Sequence, residues 1–178
     1  MLGIVFTALV DMLEEKISPE FADEVLVEAN LQNEGAYTAV GYYPFSDMEK
    51  ILAVLVNKTG QSVDQLLYGF GEHLFGVLAG AHAEVMTDKM TVLEVLDSLD
   101  NDIHVQVRKL YPDADLPSFK VLARKENVIE LEYYSQRDLY KLAEGLIDGA
   151  AKYLGNTVTH EVTSTSTPHT YIIRVTMD

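Results

Sequence analysis

Apolar side chains at Ile4, Val5, Ala8, Leu9 and Leu13 fall at the spacing of one helical face, which predicts a helix over residues 2–15. Ser18-Pro19-Glu20 then reads as a new helix start. A hydroxyl sits at the N-cap, a proline occupies the first turn where its missing N–H costs nothing, and an acid follows. That helix is expected to run to about Leu31. The stretch "NEGAYTAVGYYPFS" has the look of a long loop, and Ser46 is placed to cap a helix through Val56. Ser62 caps another, from Val63 to about Ala81, with Leu66, Leu67, Phe70, Leu74, Val77 and Leu78 on a broad stripe. Thr91 opens the next, in which Leu93, Leu96, Leu99, Ile103, Val107 and Leu110 recur at helical spacing. The two prolines of "YPDADLP" stop it.

Beyond Pro117 the period changes from helix to strand. "FKVLARKENVIELEYY" reads as two strands joined by a turn at Glu126-Asn127. Residues 138–153 return to helical spacing through Leu139, Leu142, Leu146, Ile147 and Ala150, with Gly155 just past the end. "NTVTHEVTSTSTPHTYIIRVTM" supplies two more strands. Helices first, then strands with one inserted helix, make an α+β chain.

Bulk composition narrows the partners. The chain has 178 residues, 48% of them hydrophobic and 23% charged, enough for one domain with a substantial core. Thirteen Lys and Arg against 28 Asp and Glu leave a net charge of −15. Nucleic acid and anionic membrane surfaces are therefore poor partners, since both demand cationic side chains. The simplest use of such a surface is solubility. With no cysteine, disulfides, thiolate metal sites and cysteine nucleophiles are excluded. The N-terminal stretch lacks the basic region of a signal peptide, and Asp11, Glu14 and Glu15 interrupt its apolar run. A soluble, cytoplasmic protein is expected.

Candidate chemistry is sparse. None of the five histidines forms a helical zinc pair or an HExxH motif. His104 lies beside the stripe Leu96-Leu99-Ile103-Val107, which leaves two readings, a half-exposed surface histidine or an axial metal ligand at the edge of an apolar wall. Asp97, Asp100 and Asp102 nearby read as a solvated acidic face. Gly69 and Gly71 do not follow a strand, as a phosphate loop would require, and no Ser or Thr nucleophile has an arranged base. No enzymatic activity is expected.

More informative is the strand end "ELEYYSQRDLY". Continued alternation would set Tyr133, Ser135 and Arg137 on one side at steps of about 6.6 Å. Two hydroxyls and a guanidinium suit an anion with several oxygens. The other reading pairs Arg137 with one of the 28 acids.

"HVQVRKLYPDADLP" followed by "YYSQR" closely resembles the haem-nitric oxide/oxygen binding family, the H-NOX domains found as stand-alone bacterial gas sensors and in soluble guanylate cyclases. The likeness extends through "MLGIVF", "YGFGEHLF" and "LAEGLIDGAAKYL". The resemblance implies a single domain over residues 1–178. A helical distal lobe over about 1–62 packs on a proximal α/β subdomain over 63–178 with a four-stranded antiparallel sheet, and haem b is buried between. It makes His104 the proximal iron ligand, gives the haem propionates to Tyr133, Ser135 and Arg137, and makes Pro117 the residue that distorts the porphyrin.

On the distal side, oxygen-binding members of the family place a tyrosine where this chain has Leu142. The other matching wall positions are Val5, Leu9, Leu74, Leu78 and Leu146, none a hydrogen-bond donor. Tyr140 lies on a different side of that helix. The expectation is a sensor that binds NO and CO on ferrous haem and excludes O2, which needs a donor for the charge it acquires. The family parallel implies signalling through weakening or rupture of the His104–iron bond and haem relaxation. Its output goes to a separate histidine kinase or diguanylate cyclase/phosphodiesterase, since 178 residues leave no room for an output domain. Gly71 matches a glycine able to absorb lobe motion or simply to pack helices. The cysteine-rich zinc site of some relatives is ruled out by composition. The competing classes are a haem protein for gas storage or electron transfer, and a haem-free module for a dicarboxylate ligand.

Overall fold

A computed structural model describes residues 1–89 and 91–178. Helices α1 (Gly3–Lys16), α2 (Pro19–Glu28) and α3 (Phe45–Thr59) form the N-terminal part, followed by α4 (Val63–Ala81) and a short 3-10 turn, Ala83–Val85. Next come α5 (Val92–Asp97), a π-turn over Leu99–Ile103 and α6 (His104–Leu110). Strands β1 (Ser118–Arg124) and β2 (Val128–Tyr134), helix α7 (Tyr140–Leu154), and strands β3 (Val158–Ser164) and β4 (Thr170–Met177) complete the chain. The sheet is antiparallel with strand order β1-β2-β4-β3. The α+β class expected from the sequence is the class observed.

Local signals explain most boundaries. The Ser18 hydroxyl accepts from Phe21 N at 3.1 Å, with Pro19 at the first turn. Ser62 and Gln65 form a reciprocal capping box at α4, as do Thr91 and Glu94 at α5. Gly155 closes α7 in the left-handed region at φ 70°. Two expectations are corrected. Helix α2 ends at Glu28, short of Leu31, in a loop where Asn30 takes positive φ. Helix α3 begins at Phe45 behind Pro44, and no side chain caps it, so Ser46 is already inside the helix.

Two apolar cores form. Phe6, Leu9, Leu13, Val25, Ile51 and Leu55 pack with Leu67, Phe70 and Leu74 of α4. The second joins Val92, Leu93 and Leu96 of α5 to the inner face of the sheet and one face of α7. On β2 the alternation is direct: Ile129, Leu131 and Tyr133 are buried while their neighbours are not. Helices α4 and α7 run against each other at very close range. A Cβ on Gly71 would strike the Leu142 carbonyl, and one on Gly145 would strike the Tyr68 carbonyl. Tyr68 donates to Asp148 of α7, which also meets His160 of β3 at 3.1 Å. No helix among the described residues is long and apolar enough to cross a membrane.

Candidate functional site

Between the two cores lies a largely apolar cavity of about 450 Å³, within the usual size of ligand and cofactor sites. Val5, Leu74, Leu78, Leu142 and Leu146 line it, together with Pro117, His104 and the run from Tyr133 to Arg137. Leu9 does not. It belongs to the N-terminal core, where it is almost fully buried.

His104 reaches the cavity because its helix is not a continuous α-helix. Ile103 N donates five residues back to Ser98 O at 3.0 Å, and His104 N does the same to Leu99 O. The extra residue in that π-turn swings everything beyond it by about 100° relative to regular α spacing. His104 is thereby turned inward, with its side chain only 12% exposed, and Leu110 is left outside at 59%. The surface-histidine reading is corrected by this phase shift, as is the place of Leu110 on the apolar stripe.

The imidazole is prepared for metal. Burial holds its pKa below the usual histidine range, with Asp100 pulling in the opposite direction. That direction favours the neutral ring, the form a metal ligand takes. Asp100 Oδ1 lies 3.1 Å from His104 Nδ1. A carboxylate can only accept, so Nδ1 carries the proton and the Nε2 lone pair is left for a metal. The other oxygen of Asp100 accepts from Phe119 N at 2.8 Å and from Ser118 Oγ at 3.2 Å, at the start of β1. The acidic-face reading is thus corrected for Asp100. Asp102 is also engaged, with Lys89 at 3.2 Å and Gln106 at 3.1 Å, while Asp97 is exposed. Helical phase taken straight through the π-turn hid the role of Asp100. Its four-residue spacing to His104 was the available signal.

The polar edge is built differently from a strand face. Tyr133 is the last inward residue of β2 and is 1% exposed. Its ring meets Phe119 edge-on at 5.1 Å, and Phe119 in turn stands 6.0 Å from the His104 ring. Burial pushes the Tyr133 hydroxyl up to about 12, so it remains a neutral donor. Ser135 and Arg137 lie past the strand in a turn, and the 6.6 Å stepping expected of them does not apply. Ser135 Oγ accepts from Arg137 N at 3.2 Å, and Asp138 N donates to Ser135 O at 3.1 Å. From the other side, Ser135 N reaches His169 O at 3.2 Å, and Asp138 is held by His169 Nδ1 at 2.8 Å and Tyr171 at 3.3 Å. Arg137 rests over Phe45 at 5.5 Å and pairs through Nη2 with Asp115 at 3.0 Å, so the acid-pairing reading applies to that nitrogen. A guanidinium has five N–H groups, which leaves donors for a second anion.

The lining suits a large flat apolar group that carries carboxylates at one edge and takes nitrogen on one face. Tyr140 is not in the lining. It packs on Tyr171 with ring centres 4.4 Å apart. His82 is the other histidine lining the cavity, at the C-cap of α4. Its Nδ1 is 3.6 Å from Glu84, and Tyr111 meets its ring edge-on.

A cavity lined by the His104 imidazole and a cationic, hydroxyl-bearing rim fits a haem-binding module, and relatives place it further. A model of the haem-NO-binding family, described as "Haem-NO-binding", matches residues 2–162, and the chain belongs to that family, the H-NOX proteins. The Fe(II) unliganded H-NOX protein from K. algicida shares 31% identity and superimposes with a TM-score of 0.92, covering 100% of this chain and 97% of that one. The H-NOX from Shewanella woodyi in the Fe(II)CO state shares 34% identity at a TM-score of 0.86, covering 100% and 95%. Soluble guanylate cyclase gcy-37 of Caenorhabditis elegans is 25% identical over 159 residues, 86% of this chain. The chain spans only 22% of that cyclase's length. The H-NOX fold expected from the sequence is therefore present, in a family of haem-binding gas-sensing modules.

Proposed function

We propose that the protein is a non-enzymatic cytoplasmic sensor that holds haem b through His104 and responds to NO, with CO as a weaker ligand. One observation carries the reading: a largely enclosed histidine whose Nδ1 is held by Asp100 faces the cavity that the Tyr133–Arg137 rim also borders. Ferrous haem held by His104 would supply an iron able to bind a diatomic gas, and NO binding there would weaken the bond to His104. The chain does the rest. Tyr133, Ser135 and Arg137 would hydrogen-bond and orient the two propionates, with the Arg137 guanidinium offsetting part of their charge, and Pro117 would press on the porphyrin. Val5, Leu74, Leu78, Leu142 and Leu146 form the gas-binding wall, with Leu9 behind it. Because that wall offers no donor, stable O2 binding is excluded while NO binding is not.

Signalling on this reading runs through His104. Its release frees α6 and the π-turn from the cavity and allows the lobe of about residues 1–62 to move against residues 63–178. The effector is a separate protein, a histidine kinase or a diguanylate cyclase/phosphodiesterase. NO can shift that equilibrium only by its differential affinity for the two arrangements. The test is an absorption spectrum of the purified ferrous protein alone, in air and with NO. A Soret band that is unmoved by equilibrium exposure to air and shifts with NO is expected. A stable oxy-type spectrum would overturn the gas selectivity, and a colourless protein that stays colourless with added hemin would overturn the haem reading altogether.

A further inference from the structure

Among the described residues Asp100 is the carboxylate that touches His104, one turn before it in the chain. It takes three donors, from the His104 ring, the Phe119 backbone and the Ser118 hydroxyl, at 3.1, 2.8 and 3.2 Å. Two of these lie on β1, immediately after Pro117. The carboxylate is thus fixed from the sheet side and does not follow the imidazole passively. A carboxylate accepting the Nδ1 proton makes the opposite nitrogen a stronger electron donor and fixes the ring's orientation.

We propose that Asp100 is a positioning residue that sets the strength of the His104–iron bond and ties the release of His104 to the start of β1 behind Pro117. The proposal rests on His104 being the iron ligand. Strengthening that bond opposes its rupture, so Asp100 sets how readily NO detaches the histidine. When the histidine lets go, its ring still hangs from Asp100. Its motion is then delivered to Ser118 and Phe119 as well as to α6. Phe119 receives it twice, through its backbone N–H and through a ring that stands between His104 and Tyr133.

The experiment is resonance Raman of the iron–histidine stretch in the ferrous holo-protein, with Asp100→Asn, Asp100→Leu and Asp100→Glu. The stretch is expected to fall from wild type to Asn, whose neutral carbonyl accepts more weakly, and further to Leu, with Glu recovering part of the loss. In the NO complex the ratio of detached to attached His104 is expected to rise about 10-fold in the Asn variant, the low end for loss of a ligand's outer partner. Ser118→Ala, which removes one of the three donors and leaves the carboxylate, is expected to shift the stretch slightly in the same direction. A loss of fold would not reproduce that graded order among proteins that all keep their Soret band. An unchanged stretch in both the Asn and Ser118→Ala variants with haem retained overturns the proposal. If the wild type shows no iron–histidine stretch, or His104→Gly leaves it in place, the fault lies with the assignment of His104 itself.

Discussion

On the proposed function, the side chain at position 142 is the one that decides between two gases. Leu142 lines the cavity from α7, and the nearest tyrosine in sequence, Tyr140, is engaged with Tyr171 on the other side of the helix. Leu142→Tyr would place a hydroxyl in the wall. A hydrogen bond to a charged acceptor contributes about 1.5–3 kcal/mol, so O2 affinity is expected to rise by roughly 10- to 100-fold. Equilibrium absorption spectra under graded oxygen check it, and a variant that still fails to form an oxy complex would mean that His82 or solvent, not the wall, governs access. The same scale shows what the sequence could tell. Tyr133 was legible because Ile129 and Leu131 before it keep strict alternation into the core. Ser135 and Arg137 were found as a chemical set, but their placement was not legible. The turn that holds them depends on Ser135 Oγ and on His169 and Tyr171, more than thirty residues away in sequence, and no local period reports such contacts.

Among the elements, the long run from Thr91 to Leu110 was foreseen as a single helix and proves to be two short helices joined by a π-turn. Its apolar positions face inward through Val107 and only Leu110 falls outside, and a one-residue insertion in the hydrogen-bond ladder leaves no compositional mark. That is why His104 fell beside the predicted stripe and why Asp100 looked solvated. Of the α4–α7 crossing the sequence offered only Gly71, with helix packing as one of its two readings. Gly71 faces Leu142 and Gly145 faces Tyr68, both at backbone contact, which is the helix-packing role. Gly145→Ala is therefore expected to destabilise the fold by about 1–3 kcal/mol, the usual cost of overpacking where backbone cannot yield. Thermal or urea unfolding of the holo-protein measures it. An unchanged midpoint would mean the two helices can separate freely, and then their contact does not fix the cavity's width.

For the whole molecule the question is how far a local event at His104 travels. One core holds α1, α2, α3 and the first half of α4, and the other holds α5, the sheet and α7, with the cavity between them. A change at the cavity therefore meets both cores, but among the described residues only the second is joined to His104 by hydrogen bonds, through Asp100 to β1. His104→Gly with imidazole supplied keeps a nitrogen for the iron while cutting its covalent link to α6, which isolates the tether from haem binding. Hydrogen exchange of the ferrous holo-protein should then quicken at the amides of residues 98–110 and 118–120, whose protection depends on the inward set of the π-turn. Exchange in the Val25 and Ile51 core should stay unchanged, since those side chains are packed without any contact to the tether. Quickening spread evenly over both cores would mean that the substitution merely loosens the fold. No change at 98–110 would mean that the helix is held by its own packing, and that releasing the histidine cannot by itself move anything beyond the pocket.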